Sequence, residues 1–236
     1  MVILRAFRAI DDPESCHKFI DGHERVLSSI GIKKISSSKE DWMFNPAAYV
    51  LVVEDIETRE VLGGARVHAY GGTQDLPIEE ATGYLDKNVY TLVKDYAKKG
   101  TGEICGLWNS RRVAGLGFGS VHLTRAAVAI SGIIGLDSLF ALCAPYTIKT
   151  AEVFGYEKDH SVGNDGTFYY PKLDLIATVM ILKDNVGLGK ATDYEKNRIV
   201  SLREDRSQIF TETDGKREVE IQYELNLSDT NEFKAH

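Results

Sequence analysis

The residues with the clearest chemical capacity lie in one run, Glu103-Ile-Cys-Gly-Leu-Trp-Asn-Ser-Arg-Arg-Val-Ala-Gly-Leu-Gly-Phe-Gly-Ser120. The pattern predicts a strand that turns through a glycine-rich loop into an apolar helix. Such a turn is an anion cradle, because the first-turn N–H groups of a helix have no intrahelical acceptor and that end of the helix is partly positive. Glycines at 115, 117 and 119 allow a phosphate to approach the backbone without meeting a Cβ. A nucleotide P-loop is excluded, since it requires Gly-Lys-Ser/Thr and the loop has no lysine. A dinucleotide fingerprint fits poorly: counted from Gly115, its sixth position is Ser120, and the next predicted strand, 138–144, ends without an acidic ribose partner.

What remains is Arg112-x-x-Gly115-x-Gly117. It resembles the Arg/Gln-x-x-Gly-x-Gly/Ala motif after the fourth strand of the GNAT superfamily of acyl-CoA-dependent N-acetyltransferases. The resemblance implies acetyl-CoA as co-substrate, no metal, and direct attack of an acceptor amine on the thioester. It also implies that backbone groups from Cys105 to Leu107 pair with the pantetheine arm. The pyrophosphate then rests on the N–H groups of Val113, Ala114, Gly115, Leu116, Gly117 and Phe118, with Arg112 beside its oxygens. Without the resemblance, the glycine run reads as a tight connection and Arg111 and Arg112 as plain surface charge.

Direct transfer requires a base for the amine, donors for the oxyanion, and optionally an acid for the departing thiolate. Glu103 is the first candidate base, because strand alternation places it on one face with Cys105 and Leu107. The alternative is a carboxylate in solvent at the start of a strand. His68, on a neighbouring predicted strand with Arg66 and Tyr70, is the second candidate base, against a role as a satisfied polar neighbour. The acid is where the resemblance breaks. Where family members carry a tyrosine, four residues before a Gly-Phe pair that is Gly155-Tyr156 here, this chain has Ala151; where they carry an asparagine it has Ala144. Tyr146, expected in the first turn of the helix that follows, is the candidate replacement, against a structural tyrosine.

Glu103-x-Cys105-Gly106-Leu107 also resembles the Glu-x-Ser-Arg-Phe run of acyl-homoserine-lactone and N-acyl amino acid synthases, with Gly106 in place of the arginine. That resemblance implies long-chain acyl transfer from acyl carrier protein or acyl-CoA. A non-catalytic acyl-CoA-binding protein is the alternative outside enzymes.

The elements that must position these residues follow from periodicity. A strand is expected over 2–7, a helix capped by Asp11 or Asp12 running to about Ile30, and a hairpin of strands 48–54 and 61–70. A helix over 83–99 carries Leu85, Val89, Leu92, Val93 and Tyr96 at helical spacing. After the glycine run come a helix over about 117–134, a strand over 138–144, a helix over 146–154 and a strand over 166–182. The order matches an α/β, or α+β, GNAT-like fold: a mixed, mostly antiparallel central sheet flanked by helices, over 1–184. An extension over 185–236, expected to pack on the same domain, reads as a charged helix at 193–208, a hairpin alternating on both sides of Asp214-Gly215, and a frayed end from Asn226.

The 236 residues, 43% hydrophobic, suffice for one sizeable core. No stretch approaches about 18 consecutive apolar residues and the N-terminus has no secretory pattern, so a cytoplasmic protein without membrane association is expected. Three scattered cysteines disfavour a disulfide framework and a zinc cluster, and Cys105 and Cys143 read as core. A formal charge of −7 makes nucleic acid an unsuitable partner and mildly favours a basic acceptor, the amine of a small molecule or peptide. Homodimerisation stays open.

Overall fold

A computed structural model describes residues 1–29, 31, 40–113, 118–213 and 217–227. Strand β1 (Val2–Arg8) leads through a 3-10 turn (Ala9–Asp11) into α1 (Pro13–Ser29). Asp12 is the cap, its Oδ1 accepting the Ser15 N–H at 3.0 Å, with Pro13 opening the helix. A second 3-10 turn (Asp41–Phe44) precedes β2 (Ala48–Asp55) and β3 (Val61–Ala69), an antiparallel hairpin turned by Asp55, whose Oδ1 accepts the N–H groups of Glu57 and Thr58.

The expected helix over 83–99 is two shorter ones, α2 (Pro77–Thr82) and α3 (Asn88–Ala97). Asp86 starts the second by accepting the Asn88 N–H at 2.9 Å, which leaves Leu85 in the connecting turn and half exposed. After β4 (Thr101–Asn109) come α4 (Ser120–Ile133), β5 (Ser138–Cys143), α5 (Ile148–Val153) and β6 (Glu157–Lys158). The strand expected over 166–182 is instead a hairpin, β7 (Thr167–Tyr169) and β8 (Ile176–Leu182), because Pro171 has no N–H for a ladder and the chain reverses there, with the Tyr170 N–H on the Leu175 carbonyl. Helix α6 (Asp193–Glu204) starts at its Thr192 cap and stops short of the expected Gln208. The final hairpin is β9 (Ser207–Thr213) and β10 (Glu218–Glu224); its expected turn at Asp214-Gly215 lies outside the described residues, as do Ile30 and the tail after Leu227.

The sheet runs β6-β8-β5-β4-β3-β2-β1-β10-β9, with β7 on β8. Its pairings are antiparallel apart from β4–β5 and β1–β10. The last pairing, Val2 opposite Ile221, makes the C-terminal hairpin a continuation of the central sheet. Alternation divides the core between two faces. Tyr49, Leu51 and Val53 pack with α4 and α6 on one side, and Ala48, Val50 and Val52 pack with Phe19 and Cys16 of α1 on the other. Helices α2 and α3 share the α1 side, covering Phe140 and Ile181.

The α1 face is fitted closely enough to predict an effect. A Cβ at Gly22 would lie 2.0 Å from the Trp108 ring, and one at Gly64 2.6 Å from Phe19. Gly22→Ala is therefore expected to destabilise the fold by about 1–3 kcal/mol despite the better helix propensity of alanine. Chemical denaturation measures it; an unchanged midpoint would show that α1 can shift without cost.

Candidate active site

The site is built where β4 changes partners. Strand β5 runs parallel to β4 for only three pairs, Thr101–Ser138, Gly102–Leu139 and Glu103–Phe140. Beyond them β4 continues to Asn109 beside β3, and β5 continues to Cys143 beside β8, so the two strands diverge. Among the described residues, backbone groups on their facing edges have no ladder partner across this gap, and buried peptide groups require one. An extended ligand with an amide can fill that place as a strand does.

At the mouth of the gap β4 carries a bulge. The register steps from Arg66–Cys105 to Gly64–Trp108, three residues of β4 against two of β3, and Gly106 has a φ of 58°. Glycine is required there both by conformation and by space, since a Cβ would lie 3.1 Å from Arg66 Nε. The bulge corrects the expected alternation. Glu103 and Cys105 face α1 and α2, but Leu107 turns to the α4 side with Ile104, and Trp108 takes the place beside Cys105's face.

Glu103 is 2% exposed, which removes the solvated reading. Its Oε2 accepts the Ile78 N–H from the first turn of α2 at 2.6 Å. Burial pushes its pKa up to about 8, against the pull of that N–H and of Arg66; the nearby Glu79 and Glu80 add to the rise. A carboxyl in this range exchanges protons near neutrality, as a general base must.

His68 stands opposite Glu103 across β3 and β4, buried, with its ring 6.5 Å from Trp42 and its Nε2 without a hydrogen-bond partner among the described residues. Burial and Arg66 hold it well below the ordinary histidine pKa, so it is neutral. Arg66 is the residue that sequence reasoning undervalued. Its guanidinium lies over Trp42 at 4.3 Å and Phe19 at 5.7 Å, wholly buried, and lends positive potential to Glu103 and Cys105. A lone arginine in the apolar run Ala65-Arg66-Val67 was the available signal; nothing local marks Trp42 or Ile78 as its companions. Cys105 is partly exposed as a residue, yet burial pushes its thiol up to about 12, which keeps it protonated.

The cofactor-loop residues are placed unevenly. Arg112 is exposed and ion-paired with Glu60. Val113 is buried, and its N–H is used by the Ser110 carbonyl at 3.1 Å. Phe118 is buried against α4. Ala114, Gly115, Leu116 and Gly117 lie outside the described residues. Tyr146 is 82% exposed in the turn after β5; α5 begins only at Ile148, so this tyrosine precedes the helix rather than opening it. It stands at the diverging end of β5. Among the described residues no cluster of His, Cys, Asp or Glu is arranged to hold a metal ion, and no helix is long and apolar enough to cross a membrane.

No protein-family model matches the sequence and no curated protein matches it. Solved structures do match. FeeM, an N-acyl amino acid synthase from uncultured soil microbes, aligns with a TM-score of 0.57 at 13% identity, over 79% of this chain and 99% of its own. BjaI, a CoA-dependent acyl-homoserine lactone synthase, aligns at 0.53 and 9% identity over 97% and 94%. Escherichia coli ElaA aligns at 0.54 and 9% identity over 77% and 99%. At such identities the likeness concerns architecture: this chain has a GNAT-like fold, a mixed and mostly antiparallel open sheet flanked by helices, which it shares with these structures.

Proposed function

We propose that the chain is an acyl-CoA-dependent N-acyltransferase that moves an acetyl group from acetyl-CoA to the amine of a small molecule or peptide in the cytoplasm. The observation that carries this reading is the gap between β4 and β5, opened beyond Glu103–Phe140 and bordered by the Gly106 bulge. The pantetheine amides pair with the free edge of β4, which brings the thioester beside the bulge. The amine nitrogen then attacks the carbonyl carbon. A bulge N–H stabilises the oxyanion, the ammonium proton passes to Glu103, and the carbon–sulfur bond breaks to release CoA thiolate. Because Glu103 is enclosed by α2, a bridging water carries the proton to it. With alanine at 144 and 151, the thiolate leaves unprotonated or takes a proton from Tyr146. Likeness in fold to acyltransferases supports the reaction class.

A second reading, a longer acyl donor on CoA or acyl carrier protein, is favoured by one observation. The alignment with BjaI extends over 97% of this chain, the C-terminal region included, whereas that with ElaA covers 77%. Thermal melts with CoA, acetyl-CoA and a long-chain acyl-CoA separate the two. Acetyl-CoA raising the melting temperature at least as much as the long chain supports acetyl transfer; a rise with the long chain alone supports the second reading. No rise with any of them overturns thioester binding. Protection without thiol release in the presence of amines leaves a binding protein.

A further inference from the structure

The sheet ends differently at its two sides. At one side the outer strands are short, two residues in β6 and three in β7. At the other, β9 runs for seven residues, Ser207–Thr213, in unbroken antiparallel register with Glu218–Glu224 of β10. Nothing blunts this edge. Strand β9 has no proline, lysine, glycine or bulge, the devices by which an outer strand avoids pairing with another chain.

The backbone groups that the edge presents follow from one hydrogen bond. The Leu225 N–H donates to the Arg206 carbonyl at 2.8 Å, so this opposed pair is bonded within the hairpin and, by alternation, so are Gln208, Phe210 and Glu212. The peptide groups of Ser207, Ile209 and Thr211 therefore point away from β10. Asp205 takes the Ser207 N–H at 3.1 Å, whereas the N–H groups of Ile209 and Thr211 have no acceptor among the described residues. The Ile209 side chain is 59% exposed beside them.

The strand is also matched to itself. Antiparallel pairing with a second β9 about a two-fold axis at Phe210 sets Phe210 opposite Phe210, Ile209 opposite Thr211, Gln208 opposite Glu212 and Ser207 opposite Thr213. Aromatic, β-branched and hydroxyl pairs of this kind stabilise a ladder. No like charges meet. The one charge of β9, Glu212, is buried and held by Arg125 and Arg198, and the exposed Glu218 and Glu220 of β10 lie one strand back. Tyr194 of α6, exposed beside the strand with its hydroxyl on Glu212 at 3.2 Å, extends the neutral surface. An axis at Thr211 would set Phe210 against Glu212, which favours the axis at Phe210.

We propose that β9 is the interface of a homodimer, in which two copies join edge to edge through Ser207–Thr213 into one continuous sheet. The occupant is a second copy because the order of side chains along the strand is its own complement. The gap between β4 and β5 lies beyond β10, β1, β2 and β3 from this edge, so the inference stands apart from the thioester-binding reading.

The test is sedimentation velocity of the full chain over a concentration series, with hydrogen exchange of the Ile209 and Thr211 amides. Wild type is expected to dimerise and to protect both amides in step with the dimer fraction. The variants I209K/T211K and I209E/T211E each set like charges opposite one another and are expected to raise the dimer Kd at least about tenfold. Mixed in equal amounts they should pair with each other to within about threefold of wild-type affinity, since opposite charges then face. Thr211→Pro removes an outward N–H without touching the β10 ladder and should also weaken the dimer at least about tenfold. A wild-type monomer overturns the inference: protected amides in it mean that another segment of the same chain covers the edge, and unprotected ones that the edge stays open. A dimer that neither charge variant weakens overturns it by placing the contact elsewhere. Weakening without recovery on mixing overturns it as a general disturbance. Should the proline variant fail to fold, the charge variants and their mixture decide the matter, both positions being exposed.

Discussion

Glu103→Gln is expected to lower turnover with an amine acceptor by about 10²- to 10⁴-fold, with little change in CoA affinity. The substitution keeps the side-chain oxygen that accepts the Ile78 N–H and removes only the capacity to take a proton. In the wild type the same group sets the pH profile. With its pKa raised to about 8 by burial, kcat/KM is expected to climb about tenfold per pH unit below that value and to level above it. The variant should lose this limb. Stability moves the other way. An unfolded glutamate titrates near about 4.3, so between there and about 8 the folded chain retains a proton that the unfolded chain has released. The contribution of this group is fully present at acid pH and is lost as pH rises through the folded value. Glutamine does not titrate, so Glu103→Gln should match wild type near pH 4 and exceed it at pH 9 by about 3 kcal/mol, less than the full shift converts to because water relaxes around the ionised group. Denaturant melts at the two pH values, with a pH–rate profile, check both parts. An unchanged profile in the variant would remove Glu103 as the base.

Arg125→Leu is expected to have the largest effect on stability, about 3–5 kcal/mol, or roughly 10 °C in Tm. Arg125 is 2% exposed and joins α4 to α6 and β9 through Glu195 and Glu212. Burial works against its charge, but the hydrogen bonds it donates to Glu195 and the field of Glu212 hold it above the ordinary arginine value. Glu212 is likewise held below the usual carboxylate range: burial opposes its charge, but Arg125 outweighs it. Removing the guanidinium leaves both carboxylates desolvated, with Arg198 the remaining cation paired with Glu212 among the described residues. Lysine should restore a small part of the loss, because one ammonium cannot reproduce the fork onto Glu195 and the bond to Glu212 together. Differential scanning calorimetry at low and high salt gives the result. Being buried, the loss should persist in about 0.5 M salt, and a loss that salt abolishes would place the network at the surface.

Much of the architecture was legible because it is written in local pattern. The apolar runs of β2 and β3, the Asp12 cap and the alternation of β9 and β10 each sit within a few residues of the structure they specify. Misreadings arose where a short-range signal met a local competitor. Leu85 fitted the helical period of α3, but the Asp86 cap excluded it; Thr167 to Leu182 read as one strand until Pro171 broke the ladder. The site was legible in part. Glu103 and His68 were singled out by strand position, and the sheet does set them opposite one another. Alternation assigns Leu107 to the face of Glu103 and Cys105, and the Gly106 bulge reverses it.

By itself the sequence determined the order and type of most elements and which residues of the regular strands share a face, since these follow from periods of two and 3.6 residues along the chain. The tertiary structure alone decided the rest. The bulge at Gly106 depends on how β4 registers with β3. The raised pKa of Glu103 depends on α2 closing over it from 25 residues upstream. The salt bridge of Arg125 with Glu212 depends on a hairpin that reaches the sheet through the pairing of Val2 with Ile221. Each is a contact between segments far apart in sequence, where burial, charge and hydrogen bonding are set by what the fold brings together and not by the neighbours along the chain.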